Sequence, residues 1–378
     1  MSAPGLAEAA RVWAKIGVLS FGGPAAQIAL MHRMIVEERG WLSERQYLGA
    51  LSFCMLLPGP EAMQLATYAG WRMHGVLGGL VAGLLFVIPG AIVIAALASI
   101  YALFGSVPLV EALFLGVKAA VLAIVLEALL RVSRKALKSS VHWIIAATAF
   151  LAIFVFAAPF PAIVLGFGTL GFLLARSGGP STVPPRKSSQ SVIIAALWLG
   201  IWWSPVVGLY LFGGPDILIQ IGVFFSQLAV VTFGGAYAVL AYMAQDVVVA
   251  KEWLTAGQMM DGLGLAETTP GPLILVTEFV AFLAGFDQGG MGLALAAALV
   301  ALWVTFAPCF LWIFVGAPYV DWITEHPRLR GALDAITAAV VGVILNLSLW
   351  FALHVLFGRV EQVKKSIGAR TARHLSPP

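Results

Sequence analysis

Apolar stretches of membrane-spanning length follow one another along almost the whole chain. They run over residues 12–32, 48–70, 76–104, 108–130, 141–157, 161–176, 191–212, 219–243, 257–285, 291–316 and 331–356, separated by short polar turns. One crossing of the hydrocarbon core needs about 20 apolar residues. The pattern therefore predicts an all-α polytopic membrane protein with about 10–11 transmembrane or re-entrant helices. Residues 177–190 (SGGPSTVPPRKSSQ) are polar and rich in Pro, Gly and Ser, the composition of a flexible linker. They divide the chain into halves 1–176 and 191–378.

The halves repeat one another. SFGGPAAQI (20–28) is matched by TFGGAYAVL (232–240) at an offset of 212. At the same offset Trp41-Leu42-Ser43 matches Trp253-Leu254-Thr255, Gln46 matches Gln258, and Pro58-Gly59-Pro60 matches Pro270-Gly271-Pro272. Further on the offset becomes 219, where Pro89 matches Pro308 and Ala119-Ala120-Val121 matches Ala338-Ala339-Val340. Several punctuating motifs in one register define a duplicated unit of four apolar segments. The stretches 141–157, 161–176 and 191–212 lie between the copies, so the first half carries an extra hairpin. An odd number of crossings between the two starts makes the halves inverted. Basic clusters after each copy (Arg131, Arg134, Lys135 and Lys138; Arg359, Lys364, Lys365, Arg370 and Arg373) pull the other way, since both favour the cytoplasmic side. The count of spans is given the greater weight.

Composition removes most other classes. Of 378 residues, 61% are hydrophobic and 11% charged, against about 25% charged in a soluble domain. Mean hydropathy is +0.96. A soluble enzyme, a disordered chain and a nucleic-acid module are excluded. The net charge of +4 reads as basic cytoplasmic loops, not as a nucleic-acid footprint. Cys54 and Cys309 lie inside apolar runs without metal spacing, and the six histidines show none either, so no metal or cofactor is expected. The N-terminus reads as mature protein with no signal peptide.

Candidate chemistry sits where a membrane helix should not be interrupted. Gly22-Gly23-Pro24 falls within 12–32, and Pro58-Gly59-Pro60 within 48–70. An internal proline costs a helix about 3 kcal/mol. The freed backbone groups cannot face lipid, so they are buried in protein or line a wet cavity. Paired breaks in corresponding places of two repeats point to a transporter site. Beyond each break a half-helix presents N–H groups and a positive dipole end, which bind oxyanions. Pro60 and Pro272 suit the first helical position. The alternative is a structural kink or close helix packing; four motifs in one register favour an anion cradle. The substrate-site candidates are Gly22, Gly23, Pro24, Gln27, Pro58, Gly59, Pro60, Glu61, Gln64, Gly234, Gly235, Thr269, Pro270, Gly271 and Pro272.

Lys118 joins them. It lies near the middle of 108–130, where a cation is costly and usually functional. Its alternative role is a structural pair with Glu127 or Glu61. Glu61, Glu267 and Glu278 flank the breaks and are candidates for proton coupling, or for neutralising Lys118 or Arg72. Thr268, Thr277 and Asn346 are neutral donors better read as interhelical hydrogen-bond formers. Nothing matches a P-loop, a zinc-protease or serine-hydrolase motif, or a potassium filter.

These motifs together resemble the chromate ion transporter family, of the long-chain, two-domain ChrA type. The resemblance rests on SFGGPAAQI (20–28), GWLSERQY (40–47), LLPGPEAMQLATYAGW (56–71), TFGGAYAVL (232–240) and EWLTAGQMMDGLGLAETTPGP (252–272), and covers nearly the whole chain. It departs at Ala236, which stands where the first copy has Pro24. The resemblance implies two homologous, oppositely oriented halves and export of chromate, with sulfate a close analogue, so as to confer chromate resistance. The expected setting is the bacterial cytoplasmic (inner) membrane, with the lipid bilayer as surroundings, no nucleic-acid partner and room for a homodimer. Transport of sulfate or another small anion is the alternative function. An intramembrane phosphatase is a further one, disfavoured because Glu61, Glu267 and Glu278 are spread along the chain.

Overall fold

The computed structural model describes residues 4–105, 126–127, 129–130, 132–134, 136–156, 158–175, 189–233, 236–320, 326–356, 359–360 and 375–376. Lys118, Gly234 and Gly235 lie outside the described residues. The chain is an all-α polytopic membrane protein. A two-residue antiparallel pair, Arg359–Val360 with Leu375–Ser376, is the extended structure among the described residues.

Helix α1 (Leu6–Leu19) ends at Ser20, and α2 (Gly23–Met31) begins after Gly22. A π-helical turn, His32–Glu37, leads to α3 (Glu44–Cys54), then α4 (Glu61–Phe104). Two further helices, α5 (Ser140–Phe156) and α6 (Phe160–Leu174), precede α7 (Ser189–Leu211). The chain continues with α8 (Asp216–Val231) and α9 (Ala236–Gln245), followed by a π turn at Asp246–Ala250. Then come α10 (Ala256–Thr268), a 3-10 turn at Leu273–Leu275, α11 (Val276–Gly316) and α12 (Pro327–Leu356).

Local hydrogen bonds recur 212 residues apart. Ser20 Oγ donates to the Ile16 carbonyl at 2.6 Å, and Thr232 Oγ1 to the Leu228 carbonyl at 2.6 Å. The Trp41 amide reaches the Ile35 carbonyl at 2.8 Å, and the Trp253 amide the Val247 carbonyl at 2.9 Å. Helices α3 and α10 both start with a capping box, Ser43 with Gln46 and Thr255 with Gln258. Each box satisfies two end groups that a helix otherwise leaves open. The π turns at His32–Glu37 and Asp246–Ala250 have no counterpart in the sequence reading. The first π turn and the loop after it lead into α3 at Glu44, and are held where His32 meets Glu37 at 3.1 Å and Glu44 at 2.7 Å. The hydrogen bond to Glu44 raises the His32 pKa, and the charges of both carboxylates add to it.

Helix α4 has 44 residues, about 66 Å at 1.5 Å per residue, twice a bilayer core. It fits because the chain turns at His74 and Gly75 (φ 62°, ψ −153°). The two arms then touch: a Cβ on Gly70 would lie 2.2 Å from the Gly78 carbonyl oxygen. Helix α11 turns in the same way at Gly289 and Gly290 (φ 70°, ψ −163°). A Cβ on Gly285 would lie 2.8 Å from Ala297 Cβ. The sequence reading places its segment boundaries at these two turns.

Among the described residues, four helical stretches are long and apolar enough to cross a membrane: Glu61–Phe104, Ser191–Leu211, Leu273–Tyr319 and Pro327–Asn346. The most apolar window of Leu273–Tyr319 is 72% buried, against 39% for Glu61–Phe104, which puts α11 at the centre. Large apolar side chains such as Ile92, Leu173 and Leu299 face outward, as a lipid-facing surface requires. Helix α12 lies against α5 and α6, with Gly331 at Gly171 and Gly342 at the Ala146 carbonyl. Helix α7 lies on α11, with Trp198 stacked on Phe310 and Trp303 donating to the Ile201 carbonyl at 2.9 Å.

Candidate functional site

Each proline-glycine-proline interruption ends one helix and starts another. Helix α3 stops at Cys54, and Pro60 is the N-cap of α4. Helix α10 stops at Thr268, and Pro272 precedes the 3-10 turn. The glycines take φ 120° at Gly59 and 94° at Gly271, where a side chain is disfavoured. These are true interruptions, not bends.

The interruptions complete one another across the two halves. The Gly59 amide donates to the Thr232 carbonyl at 2.8 Å. The Gly271 amide donates to the Ser20 carbonyl at 3.0 Å. Ser20 and Thr232 are the positions where α1 and α8 end, so each proline-glycine-proline break is tied to the glycine-rich break of the other half. Backbone groups that lipid cannot satisfy thereby pair inside the protein.

Amide side chains fasten the junctions. Gln27 Nε2 donates to the Gly271 carbonyl at 2.7 Å and to the Ser20 carbonyl at 3.2 Å. Gln64 Nε2 donates to the Pro58 carbonyl at 2.7 Å. Both glutamines are buried, and both Oε1 atoms lack a hydrogen-bond partner among the described residues. Close backbone contact adds to this. A Cβ on Gly90 would lie 2.3 Å from the Pro270 carbonyl oxygen, and one on Gly59 would lie 3.1 Å from Cys309 Sγ.

A cavity of about 10 Å³ lies at the first interruption, roughly the room one water needs. Gly59, Pro60, Thr232, Thr277 and Thr305 line it, with Phe225 and Ile274 among its apolar walls. Thr277 Oγ1 donates to the Ile274 carbonyl at 2.8 Å and stands 3.5 Å from Thr305 Oγ1.

The remaining sequence candidates divide. Pro58, Gly59 and Gln64 gather at the first interruption, and Pro270, Gly271, Pro272 and Gln27 at the second. Gly22 and Gly23 (φ 82° and 76°) form the entry to α2, with Pro24 in its first turn. Gly22 is exposed, so its part is to turn the chain rather than to admit a neighbour. Thr269 is buried at the end of α10. Glu61 is the first residue of α4 and is half-buried, as is Glu267. Glu278 is 1% exposed, and its Oε2 has no hydrogen-bond partner among the described residues.

Sequence reasoning passed over Ser20, Thr232, Thr305 and Asp261. Ser20 and Thr232 stand in the repeated motif itself, matched at 212. Asp261 is buried and accepts a hydrogen bond from Tyr101 of the other half at 2.8 Å. A carboxylate inside the apolar run of α10 was the available signal for it.

Comparison with known proteins agrees with this layout. The family model described as chromate transporter matches residues 7–172 and 219–372. The chain is 33% identical over 345 residues to a chromate transport protein of Pseudomonas aeruginosa, covering 87% of this chain and 77% of that one. It is 31% identical over 341 residues to a probable chromate transport protein of Synechococcus elongatus, covering 90% and 82%. It is 29% identical over 331 residues to a chromate transport protein of Cupriavidus metallidurans, covering 87% and 78%. No solved structure matches the chain.

Proposed function

The chain belongs to the chromate transporter family, and from that premise we propose that it is a secondary transporter exporting chromate across the cytoplasmic membrane, and so confers chromate resistance. Members of this family are transporters and not enzymes. The observation that carries the reading is the reciprocal pairing of Gly59 with Thr232 and of Gly271 with Ser20. It ties each proline-glycine-proline interruption to the helix end that precedes the glycine-rich motif of the other half, inside the protein, where backbone donors and dipole ends can meet an anion. A repeat whose halves are inverted, as the span count favours, lets one half rock against the other about these junctions.

The energetics suit export. An inside-negative potential drives a dianion outward by about 2.3 kcal/mol per charge per 100 mV, roughly 5 kcal/mol for two charges. Lys118 is assigned the role of charge partner to the substrate. The carboxyls of Glu61, Glu267 and Glu278 are assigned to proton coupling. Glu278 fits that role best, being a buried acid with an unpartnered oxygen next to the cavity-lining Thr277.

Everted membrane vesicles test the reading. Energised vesicles carrying the protein should accumulate chromate, with sulfate competing, and collapse of the potential should abolish uptake. Lys118→Met should remove both uptake and chromate resistance while leaving membrane insertion unchanged. Vesicles that accumulate no chromate above a protein-free control refute export. Full activity of Lys118→Met removes Lys118 from the site.

A further inference from the structure

Away from the buried seam, the junction of α2 with α3 gathers charge around one histidine. His32 is the C-cap of α2, and its two ring nitrogens meet two different carboxylates. Nδ1 stands 3.1 Å from Glu37 Oε1, and Nε2 stands 2.7 Å from Glu44 Oε2. A neutral imidazole has one N–H and would turn a lone pair toward one of these acids. Both contacts are favourable only when both nitrogens hold a proton, so the geometry is that of the imidazolium. Glu37 is on the π turn and Glu44 is the first residue of α3. The charged ring therefore clamps the end of α2 to the start of α3.

No other charge competes for the ring. The helices that pack most closely on the π turn are α2 and α3. The α2 sequence GPAAQIALM holds no titratable side chain. From α3 come Glu44, the exposed Arg45, Tyr47 and, at the far end, the buried Cys54. The Tyr47 ring stands edge-on to His32 at 5.1 Å, and its hydroxyl donates to the Ile28 carbonyl of α2 at 2.6 Å. Arg33 and Arg39 pair with Glu38 instead, at 3.6 Å and 3.0 Å.

Both clamped helices lead to the interruptions. Helix α2 carries Gln27, whose amide holds the Gly271 and Ser20 carbonyls at the second interruption. Helix α3 ends at Cys54, just before Pro58 of the first. The repeat register puts Ala244, Val249 and Ala256 at the positions matching His32, Glu37 and Glu44, at an offset of 212. These side chains cannot titrate, so the second copy has no such clamp and the device faces one side of the membrane.

We propose that His32, Glu37 and Glu44 form a proton-operated brake on transport, set by the pH at one membrane face: the charged ring holds α2 on α3 and keeps Gln27 seated on the second interruption, and loss of a ring proton to water frees the two helices to move. The proposal rests on the oxyanion-transport reading above. His32 is a positioning residue and touches no substrate. Glu44 and Glu37 raise its pKa. The brake is therefore fully on below the ordinary histidine value of about 6.5 and comes off as pH rises through the higher folded value.

The test is initial chromate uptake by everted vesicles carrying the full chain, with pH set separately inside and outside and size-exclusion profiles checked for every variant. Rates are read as the ratio of the unaltered protein to His32→Gln, which cancels changes in driving force and in ionisation of the cargo. On the acid side the unaltered protein should be about two- to tenfold slower than His32→Gln. The two should converge as pH rises at one face only. Glu44→Gln removes the nearer partner and should move the convergence to lower pH, a shift that loss of a purely structural contact would not give. Arg33→Gln, on the same turn but paired with Glu38, should keep the unaltered profile. A ratio that does not change with pH, or an unmoved profile in Glu44→Gln, overturns the brake while leaving the transport reading intact. Convergence set by pH at both faces, or its loss in Arg33→Gln as well, also overturns it. Absence of chromate uptake by the unaltered protein at every pH removes the transport reading and this brake with it.

Discussion

Replacing Gly271 by alanine probes the contact between the second interruption and the long arm of α4. Gly271 has φ 94°, and a Cβ built on it would meet Leu275 Cδ1 at 2.8 Å and Gly90 Cα at 3.2 Å. The left-handed backbone costs an alanine about 1–2 kcal/mol. Crowding a packed interior costs about 1–3 kcal/mol, and here one neighbour is backbone that cannot rotate aside. Reduced freedom of the unfolded chain returns about 0.4–1 kcal/mol. The net expectation is a destabilisation of about 1–4 kcal/mol. Thermal unfolding of the purified protein in detergent reads it. Gly213→Ala is the comparison, because Gly213 has φ 66° with no atom within 4 Å of its Cβ position. It carries the backbone cost without the crowding. A melting temperature for Gly271→Ala no lower than that for Gly213→Ala would show that the interruption and α4 do not touch.

Gln27→Leu should destabilise the protein by about 1–3 kcal/mol, because the buried Gly271 carbonyl loses a 2.7 Å donor; the same melting measurement checks it. Ser43→Ala and Thr255→Ala each remove a helix cap and should cost about 1 kcal/mol. The two sites share no partner, so the double variant should show the sum. His32 gives a pH signature. Its folded pKa is raised by Glu44 and Glu37, so its stabilising contribution is complete below the unfolded value of about 6.5 and is lost as pH rises through the folded value. The melting temperature should fall across that rise, and His32→Gln should flatten the profile; an identical slope in the variant refutes the assignment.

The parts of the fold that local chemistry dictates were legible in the chain. Proline and glycine punctuate whatever their surroundings, so the interruptions at Pro58-Gly59-Pro60 and Pro270-Gly271-Pro272 could be read directly. The turns at Gly75 and Gly290 fall at the boundaries drawn from hydropathy. The caps at Ser43 and Thr255 lie in repeated motifs whose spacing is that of a capping box. What joins distant segments was not legible. No local pattern tells the Gly59 amide to seek the Thr232 carbonyl, or Tyr101 to seek Asp261. The π turns after α2 and α9 left no recognisable mark, because they differ from an α-helix by one residue of hydrogen-bond register.

The crossed backbone pairing also sets an order of events during synthesis. The acceptor for the Gly59 amide is made 173 residues later. At about 5–20 residues per second that is a wait of roughly 10–35 s on the ribosome. Throughout it the nascent first half sits in or beside the bilayer with an unfinished seam. The late arrival of Thr232 closes the earlier-made portion as much as its own.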